Sequence, residues 1–302
     1  RHLTDWLEQG EADGLPMRGQ VGSRPVGVLL GLELTLNPLS GHPSFAKIAH
    51  LPLAEKVAAL RDPDFRAQLL AEEAGSDNPF VRALLASFGK IFVLGDPPDY
   101  EPTVDKTVAA IARHRGVSEV EVALDLMLDN DGRGVLYFPF LNFAEGNLDS
   151  TRVMLESEAT LPGLSDGGAH VGMICDGSFP TTLLTHWGRD RTRGKGLPLE
   201  LLIKKQSRDT AHWVGLHDRG VLMPGYRADI NIIDFAKLRL HLPEINYDLP
   251  AGGRRLMQRA TGYTATLVAG EVTYRDGTPT GAKPGKLVRG AQAKRAQKLA
   301  AE

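Results

Sequence analysis

The alternation of two residue patterns constrains the fold of this chain more than any other feature. Up to about residue 213, short apolar segments of strand-like length are separated by segments whose apolar residues recur at helical spacing. Strands that alternate with helices favour an α/β fold, either a barrel or a doubly wound sheet. The predicted strands are Met17–Val21, Gly134–Phe140 and Leu161–Leu164, and the predicted helices include Val104–His114, Ser118–Met127 and Pro198–Trp213.

The sequence changes character after about Asp218. Asp229–Asp234 and Thr264–Tyr274 are rich in β-branched residues, and glycine-containing turns separate them. This composition predicts a small β domain that follows the α/β part. The predicted division is residues 1–217 for the α/β part, with a helical insertion at about 43–116, then 218–290 for the β domain and 291–302 for a polar tail.

Composition narrows the classes of partner. A formal net charge of −2 over 302 residues gives no electrostatic basis for binding nucleic acid or an anionic membrane. No apolar run approaches the length of a membrane span, and residues 1–10 lack the pattern of a secretory signal. The single cysteine, Cys175, excludes an internal disulfide and a cysteine-based zinc site. We therefore predict a cytoplasmic protein that acts on a small-molecule substrate, with no nucleic-acid and no membrane partner.

Asp166 is the residue most indicative of chemistry. It follows the apolar segment Leu161–Leu164 and precedes Gly167-Gly168, so a predicted strand delivers a carboxylate into a tight turn. In α/β barrels the carboxyl ends of the strands carry the catalytic groups. An Asp-Gly at the end of a strand is also a common ordinary turn, so the spacing alone leaves both interpretations open.

Longer motifs around Asp166 carry a resemblance to a known family. The stretch Thr210–Asp234 holds a Gly-Leu pair, an Arg-Gly, a Pro-Gly turn and an Ala-Asp strand start in that order. It resembles the signature of the metal-dependent amidohydrolase superfamily. Gly163–Trp187, with its Ser-Asp-Gly-Gly-Ala-His run, and Thr264–Gly290 are similar to the N-acyl-D-amino-acid deacylase (D-aminoacylase) branch. The resemblance extends from about Met17 onward.

The resemblance implies a fold and an activity. The fold would be the C-terminal half of a (β/α)8 barrel plus part of a small β-sandwich, which family members build from both chain ends. Asp166 matches the family's catalytic base and metal ligand at the end of the last barrel strand. The implied cofactor is zinc, as one or two ions, and the implied reaction converts an N-acyl-D-amino acid to a D-amino acid plus a carboxylate. A cyclic-amide hydrolase, hydantoinase-like or dihydroorotase-like, and a non-catalytic subunit of the same fold remain alternatives.

The sequence departs from the family pattern in its histidines. Family members open with a His-x-His pair, and no two of the nine histidines here have that spacing. The remaining metal ligands are therefore expected upstream of Arg1. We expect the chain alone to be incomplete and inactive, and to need the N-terminal half of the same barrel or self-association.

Four further residues are candidates for binding substrate. Asp176 stands where branch members with acidic substrates carry an arginine, so acidic substrates should be disfavoured and Arg24 or Arg189 would have to hold the substrate carboxylate. His170, four residues after Asp166, would approach metal or substrate, although a lone histidine is more often structural. The Lys204-Lys205 pair and the run from Arg189 to Arg193 are expected to lie on solvated faces.

Overall fold

The computed structural model describes residues 2–165 and 170–290, apart from the side chains of His2 and Phe80. The predicted catalytic Asp166 and the predicted tail 291–302 lie outside the described residues. The helices are α1 His2–Ala12, α2 Pro43–Ile48, α3 Leu53–Arg61, α4 Pro63–Ala71, α5 Pro79–Leu85, α6 Val108–Arg115, α7 Glu119–Gly132, α8 Asp149–Glu156, α9 Phe179–Thr182, α10 Leu199–Ile203 and α11 Thr210–Trp213. Wider, π-helical turns at Leu183–Asp190 and Lys204–Asp209 continue α9 and α10.

The strands form small sheets. A parallel pair joins β1 and β5, an antiparallel sheet has the order β2-β4-β3, and a four-stranded antiparallel sheet has the order β13-β12-β11-β6. The remaining pairs, β7 with β10 and β8 with β9, are antiparallel. The strands are β1 Gly19–Gly22, β2 Val26–Leu30, β3 Phe92–Val93, β4 Leu136–Leu141, β5 Thr160–Gly163, β6 Ile230–Ile233, β7 Arg239–Leu240, β8 Glu244–Leu249, β9 Gly253–Met257, β10 Ala260–Thr261, β11 Tyr263–Val268, β12 Glu271–Arg275 and β13 Thr278–Pro279.

The structure is a mixture of helices and sheets, as the sequence predicts. Within the described residues, β1 with β5 is the one parallel pair between named strands. The half-barrel and the β-sandwich part therefore stay predictions. β2 was not predicted, because Pro25 was interpreted as a strand end; a proline at the residue before a strand costs no ladder hydrogen bond, and the chain continues extended into β2.

Helix starts follow local capping. Ser118 caps α7, and its Oγ accepts a hydrogen bond from the backbone N–H of Glu121 at 3.1 Å, as predicted. The carboxylate of Glu121 accepts a hydrogen bond from Arg66 at 3.2 Å. The predicted helix from Val104 is broken, because Thr107 is extended and caps α6 with its own side chain, which accepts from the backbone N–H of Ala110.

The core has three clusters. The largest packs helices α2–α7 against β2 and β4. A second surrounds the buried Trp187 beside β1, and a third gathers around Tyr100 and Tyr137. Cys175, downstream of Asp166, is partly buried and packs against the third cluster. No helix in residues 2–165 and 170–290 is long and apolar enough to cross a membrane.

Candidate active site

The backbone that leads to Asp166 is fixed by strand pairing. β5 runs parallel to β1, with Thr160 opposite Gly19 and Gly163 opposite Gly22. Directly after β5, Leu164 has a φ of 57°, which is a left-handed conformation that bulky residues rarely adopt. Such outliers cost free energy and persist where the surrounding structure enforces them, often at functional sites. The strand therefore ends in a constrained turn two residues before Asp166.

Lys205 anchors the start of β5 from the helix that follows the site. Its side chain is buried, and its Nζ donates to the carbonyl oxygens of Ser157 at 2.5 Å and of Thr160 at 2.9 Å. Burial lowers the pKa of Lys205 below the ordinary lysine value. The expectation that Lys204 and Lys205 both lie on a solvated face is wrong for Lys205, because two carbonyl acceptors draw its ammonium group inside.

The segment after Asp166 is held by backbone hydrogen bonds from distant elements. The N–H of Leu29 in β2 donates to the carbonyl of Met173 at 2.8 Å, and the N–H of Thr35 donates to Gly172 at 2.9 Å. From β9, the N–H of Leu256 donates to the carbonyl of Val171 at 2.7 Å. Residues distant in the sequence on both sides therefore fix the position of residues 171–173.

Arg24 lies inside the protein rather than at a surface. Its residue exposure is 2 %, and its guanidinium donates to the carbonyl of Cys175 at 2.7 Å and to Thr182 Oγ1 at 3.3 Å. The guanidinium carbon is 3.7 Å from the centroid of the Tyr100 ring and 4.6 Å from that of Phe179. These contacts place the guanidinium against two rings and use one N–H of each terminal nitrogen for groups of the protein itself.

Asp176 and Arg24, two separate candidates in the sequence, are brought together. Asp176 Oδ1 lies 3.7 Å from Arg24 Nη2, and the Asp176 side chain is 12 % exposed. Burial raises the pKa of Asp176, and the charge of Arg24 only partly offsets this effect. Burial also raises the pKa of the neighbouring Cys175 thiol to about 11, so this thiol is protonated at neutral pH.

The other two candidates lie apart from this pair. Arg189 makes a bidentate ion pair with Asp190 at 2.6 and 2.9 Å, and it also donates to the carbonyls of Phe235 and Leu238. It thus ties the helical segment that follows α9 to the connection between β6 and β7. His170 is exposed and has a φ of 52°, and its carbonyl oxygen accepts from the N–H groups of Met173 and Ile174.

Sequence reasoning missed a buried ionic network centred on Glu101. Both nitrogens Nε and Nη2 of Arg191 donate to the Glu101 carboxylate at 3.0 Å, and the N–H of Leu148 donates at 2.8 Å. His186 Nε2 lies 3.0 Å from Glu101 Oε2. Burial raises the pKa of Glu101, but the hydrogen bonds from His186, Arg191 and Leu148 outweigh it and bring the pKa to about 2. Arg191 is therefore not on a solvated face, contrary to expectation.

This network borders a cleft with a volume of about 940 Å³. Three segments line it: 95–106, the helical turns at 182–193, and 236–240. Its walls carry acidic and basic side chains, and most of these pair with each other, as Arg239 does with Asp96 and Lys106 with Asp99. The cleft is thus polar and close to charge-balanced.

A metal centre would need several His, Cys, Asp or Glu side chains close together. In residues 2–165 and 170–290 no group of three or more such side chains is arranged to hold a metal ion. A hydrolytic zinc site needs about three protein ligands. The described residues therefore do not form the zinc site that the resemblance implies.

A comparison with known protein families identifies the family of this chain. Residues 2–274 match the amidohydrolase family (Amidohydro_3). The chain belongs to the amidohydrolase family. This confirms the family predicted from the motifs in Thr210–Asp234, and the match covers both the α/β part and most of the β domain.

Among curated proteins, this amidohydrolase is similar to an uncharacterized protein of Mycobacterium tuberculosis strain H37Rv, with 26% identity over 302 residues; 90% of this chain and 48% of the relative are covered. It is also 33% identical over 102 residues to a 5-methylthioadenosine/S-adenosylhomocysteine deaminase of Desulfitobacterium hafniense, which covers 31% of this chain and 24% of that protein. The chain spans about half the length of the first of these relatives, and less of the second.

Two solved structures are also similar to parts of this chain. One is a D-aminoacylase, with 22% identity, a TM-score of 0.34 and coverage of 64% of this chain and 36% of that chain. Another is an N-acyl-D-glutamate deacylase of Bordetella bronchiseptica complexed with zinc and a phosphonate inhibitor, with 20% identity, a TM-score of 0.32 and coverage of 64% and 37%.

Proposed function

We propose that this amidohydrolase, in its intact form, hydrolyses the amide of an N-acyl-D-amino acid and releases a D-amino acid and a carboxylate. The observation that carries the proposal is the family match over residues 2–274. The branch and the substrate class are supported by the Ser-Asp-Gly-Gly-Ala-His run and by Thr264–Gly290.

Asp166 is proposed as the general base. It follows β5, whose carboxyl end is fixed by pairing with β1 and by the left-handed turn at Leu164. A carboxylate in this place would take a proton from the attacking water and pass it to the leaving amine. The zinc ion or ions that the resemblance implies would require ligands outside the described residues.

The test is Asp166→Asn in the intact protein, because asparagine keeps the shape of the side chain and removes the proton acceptor. Turnover should fall by at least about 10²-fold, the usual contribution of a general base. Asp149→Asn is the matched control, since Asp149 is an exposed carboxylate with 62 % side-chain exposure. Retention of more than about a tenth of the wild-type turnover at equal metal content would contradict the proposed role.

A substrate panel separates the proposed reaction from its alternatives. N-acetyl-D-methionine should be hydrolysed, and N-acetyl-L-methionine, hydantoin and dihydroorotate should not. Turnover of a cyclic amide alone would favour the cyclic-amide alternative, and no turnover of any compound by metal-loaded intact protein would favour a non-catalytic subunit.

Asp176 is proposed to disfavour acidic substrates. A second carboxylate placed near the buried Asp176 would meet an unfavourable like charge. N-acetyl-D-glutamate should therefore have a lower kcat/KM than N-acetyl-D-methionine. The reverse order would refute this part of the proposal.

The partner of this chain remains a proposal as well. Apolar side chains at the ends of β4 and β5, Phe140, Leu141 and Leu164, are exposed. We propose that the other half of the barrel or a second copy of the chain covers them. Light scattering of the 302-residue chain, alone and mixed with the other half, should show a dimer or a complex, and a stable monomer in both samples would argue against the proposal.

A further inference from the structure

Arg24 lies between β1 and β2 and links this connection to residues downstream of Asp166. The guanidinium donates to one backbone carbonyl, Cys175, and to one hydroxyl, Thr182, and both lie within 16 residues downstream of Asp166 in the sequence. The preceding residue adds two more ties. Ser23 Oγ donates to the carbonyl of Phe179 at 2.9 Å, and the Ser23 carbonyl accepts from Trp187 Nε1 at 2.6 Å.

The geometry around Arg24 suits an arginine and no other cation. Tyr100 and Phe179 present their ring faces to the planar guanidinium at 3.7 and 4.6 Å, and separate N–H groups reach the two acceptors. A lysine ammonium lacks both the plane and the fork of donors. Asp176, at 3.7 Å, is the carboxylate that compensates the buried charge.

In this arrangement the positive charge of Arg24 interacts with groups of the protein itself. Removal of this buried cation would leave the Cys175 carbonyl without the hydrogen-bond donor of Arg24 and Asp176 without its counter-charge. The parts most affected would be Cys175 and α9, because the hydrogen bonds from Ser23 and Arg24 end on Cys175, Phe179 and Thr182.

We propose that Arg24 is a positioning residue: it clamps residues 175–182, and the hydrolysis requires this part of the chain, downstream of Asp166, to be held in place. The inference rests on the proposed function, in which Asp166 is the base. Small displacements of a reacting group from its productive geometry reduce turnover by about 10²-fold, so the effect should appear in kcat rather than in KM.

The experiment compares Arg24→Lys with Arg61→Gln in the intact, metal-loaded protein. Arg61 is a matched control because it is an arginine with 53 % side-chain exposure in an ion pair on the surface. Two substrates are assayed, N-acetyl-D-methionine and its carboxamide, which lacks the carboxylate. We expect Arg24→Lys to lower kcat by about 10²-fold for both substrates with little change in KM, and Arg61→Gln to resemble the wild type.

A second readout is independent of activity. Hydrogen exchange of the peptide that covers residues 163–182 should be at least about tenfold faster in Arg24→Lys than in the wild type, while peptides of α3 and α7 should not change. If Arg24→Lys does not fold, Thr182→Val replaces it, because this change removes one acceptor of Arg24 and leaves the charge pair in place. It should show the same pattern at a smaller size.

The outcomes separate the possible roles. A rise in KM for the acid but not for the carboxamide would overturn the proposal in favour of a carboxylate-binding arginine. Unchanged kcat per folded molecule would overturn it in favour of a purely structural residue. If the wild type hydrolyses neither substrate, the proposed function fails, and the exchange measurement alone decides whether Arg24 clamps the segment.

Discussion

The buried carboxylate of Glu101 should make a large contribution to stability, and its size can be worked from its pKa. Replacement by glutamine keeps the shape but removes the charge that faces Arg191, whose side chain is fully buried. A folded-state pKa of about 2, against an ordinary value of 4.5, corresponds to roughly 3 kcal/mol at pH 7, at 1.36 kcal/mol for each pKa unit. Breaking a buried ion pair commonly costs about 3–5 kcal/mol, so the two arguments agree.

The pH dependence follows from the direction of the shift. Because the folded pKa of Glu101 is lowered, the stabilisation is complete above the unfolded value of 4.5 and is lost as the pH falls toward about 2. The difference between wild type and Glu101→Gln should therefore shrink from roughly 3 kcal/mol at pH 7 to about 1 kcal/mol at pH 3.

Urea unfolding followed by circular dichroism at pH 7, 5, 4 and 3 measures this difference directly. Asp149→Asn is the control on the same arginine, because Asp149 accepts from Arg191 at 2.7 Å but is largely exposed. It should cost less than about 1 kcal/mol, as exposed pairs do. A loss below about 1 kcal/mol in Glu101→Gln, or a loss that does not depend on pH, would refute the assignment of Glu101 as a charged anchor.

Three further predictions concern buried groups. Burial lowers the pKa of His42 below 6.5, so its contribution to stability is complete above pH 6.5 and is lost as the pH falls below that value. His42→Leu should therefore flatten the pH dependence of the free energy of unfolding in urea between pH 7 and 5. An unchanged slope would contradict this. The Cys175 thiol, with its pKa raised to about 11, should react with iodoacetamide at pH 8 at least about 100-fold more slowly in the native than in the denatured protein, and equal rates would contradict its burial. Lys205→Met should lower the free energy of unfolding, measured in urea or by heating, by about 2–4 kcal/mol, because two carbonyls lose their donor. The neighbouring Lys204→Met should lower it by under about 1 kcal/mol. Similar losses in both variants would exclude the anchoring role of Lys205.

Local features of the fold could be predicted from the sequence because they depend on neighbouring residues. The Ser118 cap of α7 is readable from the hydroxyl and the helical spacing that follows it. β5 and β6 begin and end within one residue of the predicted segments Leu161–Leu164 and Asp229–Asp234, whereas Thr264–Tyr274 is divided into β11 and β12. The break at Thr107 was missed because a threonine in a helical pattern reads equally well as an interior residue and as a cap.

Long-range pairing could not be predicted in the same way. Glu101 and Arg191 are 90 positions apart, and in the sequence Arg191 belongs to a charged run that resembles a surface. The Leu29–Met173 hydrogen bond likewise joins two backbones whose side chains give no signal of it. Burial of a charged residue depends on which partners the fold brings to it, and those partners are not local.

The surroundings of Asp166 show why its motif was informative while the roles of the nearby candidates were not. The apolar strand and the Gly-Gly turn are local, and they predict a carboxylate at a strand end. The side-chain contacts before and after Asp166 come from residues distant in the sequence. Lys205 holds Thr160 at the start of β5, and Arg24 holds Cys175 downstream. Both cations donate hydrogen bonds to backbone carbonyls. Because no residue type in the sequence marks such an acceptor, the sequence alone does not show that these charges have partners. A charged residue can thus hold the backbone rather than bind a substrate, and the hydrogen bonds of its donors distinguish the two cases.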